Sequence, residues 1–218
     1  MAPDKYKLIA CLMVFFGLLA NAQQDEKATE ILEGLSSEIT STPSVTIEFS
    51  IEISSLKDEV IENFDGILIM KEDKYKLDLM ETVSYFDGEA RYTYMPDVNE
   101  VIITDPDEEG GLMSNPAKLF TLYNEEFKYR LIGEVERSGQ YLFEIDLHPI
   151  DISRDFHTVK LFIEKTSMFL HSAVIAGKDG NRYTLFVNEY DKTKKLDDTF
   201  FKFEETDYPG VEVIDMRW

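Results

Sequence analysis

Between residues 25 and 43 the apolar positions recur every three or four residues, with polar residues between them. This spacing predicts an amphipathic helix with a single apolar stripe. Asp25 is placed to cap its N-terminus, and Pro43 ends the segment. Because one stripe must be buried against another element, we expect this helix to lie on a sheet. The stripe consists of Ala28, Ile31, Leu32, Leu35 and Ile39.

After this helix, the apolar and polar residues alternate with period two. In the run Val45–Ile53 the odd-numbered positions are apolar and the even-numbered ones polar, which is typical of a strand with one buried face. Hairpin signals such as Asp87-Gly88, Ser138-Gly139 and Asp179-Gly180-Asn181 separate several runs. The pattern predicts a mainly β fold, with an antiparallel sheet that is strongly curved or closed into a barrel. The further runs are Ile67–Met70, Lys74–Leu79, Arg91–Met95, Glu100–Thr104, Tyr129–Gly133, Tyr141–Leu147, Thr158–Glu164, Leu170–Ala176, Tyr183–Asn188 and Thr199–Phe203.

One segment between the strands breaks the alternation and predicts a short helix. Asn115 followed by Pro116 reads as an N-cap and first helical position, and two glycines, Gly110 and Gly111, precede them. The simplest arrangement puts both helices over the concave face of the sheet, as a lid. The candidate lid residues are Leu112, Met113, Leu119, Leu122 and Tyr123.

Alternation also selects candidate residues for the inward face of the sheet. These side chains either form a packed barrel core or line a cavity for an apolar ligand, and the pattern leaves both readings open. Two of the tyrosines, Tyr92 and Tyr94, could instead point outward. The candidates are Phe49, Ile51, Tyr75, Leu77, Tyr92, Tyr94, Phe143 and Ile145.

The N-terminus has the three parts of a secretory signal. Lys5 and Lys7 form a basic region, Leu8–Leu19 is apolar, and Ala20-Asn21-Ala22 has the small-x-small form of a cleavage site. We therefore expect a signal peptide over residues 1–22 and one domain over residues 23–218. Cys11, the only cysteine, lies inside the apolar run, so the exported chain should carry neither a disulfide nor a lipid anchor.

Charge and motifs narrow the function classes. With 43 acidic against 22 basic residues, a formal net charge of −21 opposes binding to phosphate backbones, so nucleic acid is a poor partner. The chain has no nucleophile elbow, no phosphate loop and no zinc-protease motif. His148, His157 and His171 lack metal-ligand spacing. We expect no enzyme activity, no cofactor and no metal.

The order of elements resembles the LolA family, the periplasmic carriers of outer-membrane lipoproteins. The resemblance runs from about Ala28 to Asp215 and rests on landmarks in sequence order. They are the N-terminal helix before strand Val45–Ile53, Gly66-Ile67-Leu68-Ile69-Met70-Lys71, the hairpin Tyr85–Tyr94 with its Asp87-Gly88 turn, Asn99-Glu100-Val101, the Pro116–Tyr123 helix, Leu147-His148-Pro149, Phe201-Lys202-Phe203 and Tyr208-Pro209-Gly210-Val211-Glu212-Val213.

The resemblance implies an incomplete antiparallel β-barrel, with an N-terminal helix and short lid helices over an apolar cavity. It further implies a periplasmic chaperone that buries the acyl chains of lipoproteins. An inner-membrane lipoprotein-releasing transporter would supply this cargo, and an outer-membrane acceptor would receive it. We expect the carrier to be a monomer. A lipid or glycolipid carrier on the same fold, or a structural envelope module that binds nothing, are the alternatives.

One position departs from the family pattern. Well-known members place an arginine just after the Gly-x-Leu strand, where it ties the barrel to the lid. Here the sequence reads Lys71-Glu72-Asp73, with Glu72 nearest to the place of the arginine. Lys71 or Lys74 could replace this latch, or apolar contacts alone could hold the lid.

Overall fold

The computed structural model describes residues 25–55, 61–106, 112, 116–120 and 126–217. Within these ranges, one α-helix, α1 (Glu26–Thr40), precedes the strands, and three short 3-10 helices lie at Pro116–Phe120, Asp198–Phe201 and Glu205–Asp207. Among the described residues, no helix combines the length and the apolar character that crossing a bilayer requires. The strands are β1 (Val45–Ser55), β2 (Ile61–Lys71), β3 (Lys74–Leu79), β4 (Thr82–Phe86), β5 (Arg91–Met95), β6 (Glu100–Thr104), β7 (Phe127–Arg137), β8 (Gln140–Pro149), β9 (Phe156–Glu164), β10 (Leu170–Gly177), β11 (Asn181–Asp191) and β12 (Glu212–Asp215).

The helix α1 forms as its sequence predicts. The Asp25 carboxylate accepts hydrogen bonds from the backbone N–H groups of Lys27 and Ala28 at 3.1 and 3.2 Å, which satisfies two donors of the first turn. The buried residues of the helix are the five predicted ones, Ala28, Ile31, Leu32, Leu35 and Ile39.

The strands form one 12-stranded sheet in the order β12-β6-β5-β4-β3-β2-β1-β11-β10-β9-β8-β7. Neighbouring strands pair antiparallel, except that β12 pairs parallel to β6. The sheet does not close, since β7 and β12 stand at its two ends. An open, mainly β architecture with an N-terminal helix confirms the predicted incomplete barrel.

The strand register assigns each side chain to one of two faces of the sheet. Ile51 of β1 lies opposite Leu185 of β11, and this row continues through Ala173 and Leu161 to Ile145 of β8. All five residues are buried. We call the face that carries them the inner face, because α1 covers it. The other face is the outer face.

The predicted strand Thr199–Phe203 does not form. Residues 199–203, predicted as a strand, lie mostly in the 3-10 helix Asp198–Phe201. Asp197 causes the difference, because its carboxylate accepts a hydrogen bond from the Thr199 backbone N–H at 3.1 Å and caps a turn. The sequence analysis also missed β4 and β12, which are short strands of five and four residues.

Gly66 allows a close approach in the first hairpin. It pairs with Phe49 across β1 and β2, and a Cβ built on Gly66 would lie 2.4 Å from Cζ of the Phe49 ring. We predict that Gly66→Ala lowers the free energy of unfolding by about 1–3 kcal/mol, because the buried ring must move. Urea denaturation measures this change.

The control for this prediction is Gly34→Ala in α1. A Cβ at Gly34 would meet the Met168 side chain at ordinary contact distances of 3.5–3.8 Å. The control variant should therefore gain about 0.5–1 kcal/mol from helix propensity. Equal effects of the two substitutions would contradict the account.

Candidate functional site: the covered inner face

The inner face brings together six of the eight predicted inward residues. Their side chains are all buried, with at most 6% of their surface exposed, and they belong to one continuous apolar cluster with the buried residues of α1. These six residues are Phe49, Ile51, Tyr75, Leu77, Phe143 and Ile145. Their role as a ligand-binding surface stays a prediction.

Tyr92 and Tyr94 lie on the other face, so their assignment to the inner face was wrong. Tyr92 pairs with Tyr85, which pairs with Lys76, and this row belongs to the outer face. Tyr92 stacks on Phe203 at 5.8 Å between ring centroids, and the ring of Tyr94 lies 4.2 Å from that of Tyr208. At β5 the sheet has apolar residues on both faces, because the outer face is covered by the C-terminal segment, which contains Phe203 and Tyr208.

The helix α1 lies over five of the twelve strands on the inner face. At its N-terminus Asp25 also accepts a hydrogen bond from the backbone N–H of Leu131, in the edge strand β7, at 2.9 Å. At its C-terminus Glu38 binds Lys192, directly after β11, at 3.0 Å. From β7 to β11 there are four inter-strand spacings, about 19 Å, and a helix of this length is about 22 Å long. The helix therefore bridges the five strands from β7 to β11.

A second cover comes from the segment between β6 and β7. Leu112 and Leu119, two of the predicted lid residues, are buried in the inner cluster, with 4% and 3% of their surface exposed. Met113, Leu122 and Tyr123 lie outside the described residues. The predicted helix is a 3-10 helix, Pro116–Phe120, which buries Ala117 and Phe120 as well. Sequence analysis missed Phe120, because α-helical spacing from Leu119 does not select it.

Two tyrosines of the inner face lie in an apolar environment. Burial raises the pKa of Tyr75, while the positive charge of Arg91 opposes that shift. Burial also raises the pKa of Tyr190, whose hydroxyl donates a hydrogen bond to the carbonyl of Leu170 at 2.8 Å. In the described ranges no three His, Cys, Asp or Glu side chains are grouped so that they could hold a metal ion.

The two lysines considered as a latch hold another part of the chain. Lys71 and Lys74 both bind the Asp198 carboxylate, at 2.5 and 3.2 Å, and Lys71 also donates to the carbonyl of Leu196 at 3.0 Å. They therefore tie the β2–β3 hairpin to the C-terminal segment that covers the outer face. The described lid residues Leu112 and Leu119 are buried in the inner cluster, away from these two lysines.

This ion-pair cluster makes the stability of the C-terminal segment depend on pH. Hydrogen bonds from Lys71 and Lys74 lower the pKa of Asp198 below its usual 3.8, so its contribution is present above pH 3.8 and is lost as pH falls through the lowered value. We predict faster hydrogen exchange of residues 198–208 in Asp198→Asn at pH 7, with the difference vanishing in acid. Asp97→Asn, in an exposed turn, is the control. An equal difference at pH 2 would contradict the assignment.

The geometry defines a class of protein: an open antiparallel sheet whose apolar inner face is covered by a helix and a short separate segment. Comparison with family models finds a match to "outer membrane lipoprotein carrier protein LolA" over residues 18–168. The chain therefore belongs to the LolA family. A comparison with curated protein sequences finds no significant match.

Solved structures share the fold at low sequence identity. An uncharacterised conserved protein from Thermus thermophilus superposes with a TM-score of 0.60 at 13% identity, over 87% of this chain and 99% of that one. A DUF1329 family protein from Desulfovibrio piger gives 0.52 at 11% identity, over 86% and 100%. A LolA superfamily protein from Nitrosomonas europaea gives 0.48 at 13% identity, over 81% and 97%.

Proposed function

We propose that this protein is a periplasmic carrier that buries the acyl chains of lipoproteins against the inner face of its sheet. The observation that carries the proposal is the two-part apolar interior. One part is the sheet, and the other is a cover made of α1 and the 3-10 helix Pro116–Phe120, whose apolar side chains are buried in one cluster with those of the inner face. Family membership supports the cargo class.

The energetics of acyl burial explain why such a carrier needs a removable cover. Each buried methylene gains about 0.8 kcal/mol, so a 16-carbon chain would gain roughly 12 kcal/mol and would leave slowly. If the chain must first displace Leu119 and Phe120, the exposure of these two side chains costs about 1.5–3 kcal/mol each. The cover therefore weakens net binding and makes transfer to an acceptor possible.

A short 3-10 helix is suited to move as a unit. Five residues form too few hydrogen bonds to be stable alone, so its stability comes from the contacts that it buries. The buried side chains of Leu119 and Phe120 are apolar, so an acyl chain can take their place on the inner face. The proposed function needs no catalytic step and no cofactor.

Further parts of the proposal concern location and partners. We propose that residues 1–22 are a signal peptide cleaved after Ala22, and that the protein acts as a monomer. The proposed partners are an inner-membrane transporter that releases lipoproteins and an acceptor in the outer membrane. The acidic surface suits a shuttle, because it disfavours adhesion to anionic lipid.

Native mass spectrometry of the protein purified from periplasm tests the proposal. The expected result is a fraction of molecules that carry an acylated protein or its lipidated N-terminal peptide. Bound free lipid or glycolipid without protein would favour a lipid carrier on the same fold. Molecules that stay empty in the presence of excess lipopeptide would favour a structural module, a function compatible with the continuous packing of the inner cluster.

A further inference from the structure

One end of the sheet carries exposed apolar side chains on most of its connections. The β3–β4, β5–β6, β8–β9 and β10–β11 connections lie at this end together with the start of β2, because strands adjacent along the chain are antiparallel here. Ile152 in the β8–β9 connection has 85% of its surface in water, the largest value among the described apolar residues. The exposed apolar residues described at this end are Ile61, Met80, Val98, Ile150 and Ile152.

The opposite end of the sheet exposes fewer apolar side chains among the described residues. Its turns Glu72-Asp73, Asp87-Gly88-Glu89 and Ser138-Gly139 consist of charged or polar residues and glycine. Two apolar residues, Tyr141 and Met216, are exposed there, and Met168 and Phe169 of the β9–β10 connection pack against the inner cluster. Exposed apolar side chains concentrated at one end of a domain indicate a contact with an apolar partner.

A small hollow opens at the same end, between the β8–β9 connection and the β10–β11 turn. It has a volume of about 160 Å³. Its apolar wall is formed by Phe156, Ile175 and Tyr183, and both Phe156 and Ile175 belong to the inner cluster beneath. The rest of its lining is polar, with Asp155, Lys178 and Asp179, so the hollow has an apolar floor and a charged rim.

The frame of this hollow is fixed by hydrogen bonds. The Lys178 backbone N–H donates to the carbonyl of Asp155 at 2.7 Å, and its Nζ donates to the carbonyl of Ile152 at 2.5 Å. Tyr183 donates its hydroxyl to the Asp179 carboxylate at 2.7 Å. The two connections are therefore joined around the opening, which places the exposed Ile152 beside it.

We propose that a single acyl chain enters and leaves the inner face through this hollow. The proposal rests on the proposed function and deepens it by naming the path of the ligand. Ile150 and Ile152 would contact the methylenes still outside, and Phe156 and Ile175 would receive the leading end. The polar head of the ligand would stay at the rim, near Lys178 and Asp155, so no charged group has to cross the apolar interior.

Site-directed labelling beside the hollow tests this path. Asp155, which lines the hollow and is exposed, is changed to cysteine in a chain with Cys11→Ser, and a bulky maleimide is attached. Val98→Cys, exposed at the same end but in the β5–β6 turn, is labelled as the control. Stopped-flow fluorescence with a 16-carbon fluorescent fatty acid measures the rates of loading and release.

The path predicts that the label at position 155 slows both loading and release by ten-fold or more. The dissociation constant should stay within two-fold, because obstruction of a path changes both rates equally. The rates of the labelled protein are compared with those of unlabelled Asp155→Cys, so that only the attached maleimide differs, and labelling of Val98→Cys should change neither rate. A weaker affinity with unchanged loading would make the hollow part of the binding site itself, and unchanged rates would mean another path; each overturns the proposal. If the unlabelled wild type binds no probe at all, the proposed function fails first, and the path with it.

Discussion

Asp25→Ala should lower the free energy of unfolding by about 2–4 kcal/mol, more than expected for an ordinary helix cap. One carboxylate oxygen caps the first turn of α1, a role worth about 0.5–2 kcal/mol. The other accepts a hydrogen bond from the backbone N–H of Leu131 in β7. In the alanine variant that partly buried donor loses its partner, which adds about 1–3 kcal/mol. Chemical denaturation monitored by circular dichroism measures the change.

Asp25→Asn separates the two roles of this residue. Asparagine keeps one oxygen, which can still cap α1, but it offers an amide group to the Leu131 N–H where aspartate offered an oxygen. We expect the free energy of unfolding of Asp25→Asn to lie between those of the wild type and Asp25→Ala. The backbone amide whose hydrogen exchange rises most should be that of Leu131. If both variants lose only the energy of a cap, the bond between α1 and the edge strand contributes nothing.

Leu119→Ala should leave the affinity for an acyl ligand unchanged or raise it, by up to about thirty-fold. In the empty protein Leu119 is buried against the inner face, and in the proposed mechanism the ligand displaces it. Its removal destabilises only the empty state. A loss of about 2 kcal/mol of docking energy corresponds to this increase in affinity. Titration with an acylated peptide gives the dissociation constant.

The matched control is Leu142→Ala. Leu142 is fully buried, but it alternates with the inner residue Phe143 in β8 and so lies on the outer face. This truncation should reduce stability by about 2–5 kcal/mol and leave acyl affinity unchanged. An affinity that falls ten-fold or more in Leu119→Ala, with the fold intact, would show that Leu119 contacts the bound chain, which would overturn displacement of the lid.

Local patterns in the sequence were sufficient for most of the fold. The stripe of α1 and the alternation of Val45–Ile53 report burial directly, because each element has one buried side and its period is set by the backbone. Asp25 could likewise be assigned as a cap, since capping depends on residues next to it. The hydrogen bond that Asp25 accepts from Leu131 could not be predicted, because the two residues are 106 positions apart and only the folded sheet brings them together.

Tyr92 and Tyr94 illustrate a limit of alternation. Period two shows which residues share a face, but it does not show which face is covered by the rest of the chain. In β5 the C-terminal segment provides a second apolar surface, with Phe203 and Tyr208, so aromatic residues also occupy the outer face. The tyrosine hydroxyls of Tyr85 and Tyr208 are 2.6 Å apart there, and burial, as the main cause, raises the pKa of Tyr208 to about 12.

The cover over the inner face was only partly predictable. The glycines and Pro116 signalled an interruption between strands, and Leu119 was placed correctly as a buried residue. The sequence did not predict that this helix is a 3-10 helix, because the surface on which a five-residue segment packs decides its shape more than its own propensity does. For the same reason Phe120, which has 1% of its surface exposed, was not recognised.

Calorimetric titration tests most directly whether the inner face takes acyl chains. The protein is titrated at several temperatures with a palmitoylated peptide and with the same peptide without its acyl chain. Binding of the acylated peptide alone is predicted, with a negative heat-capacity change that reports burial of apolar surface. Absence of binding by the acylated peptide, or equal binding of both peptides, would contradict the account.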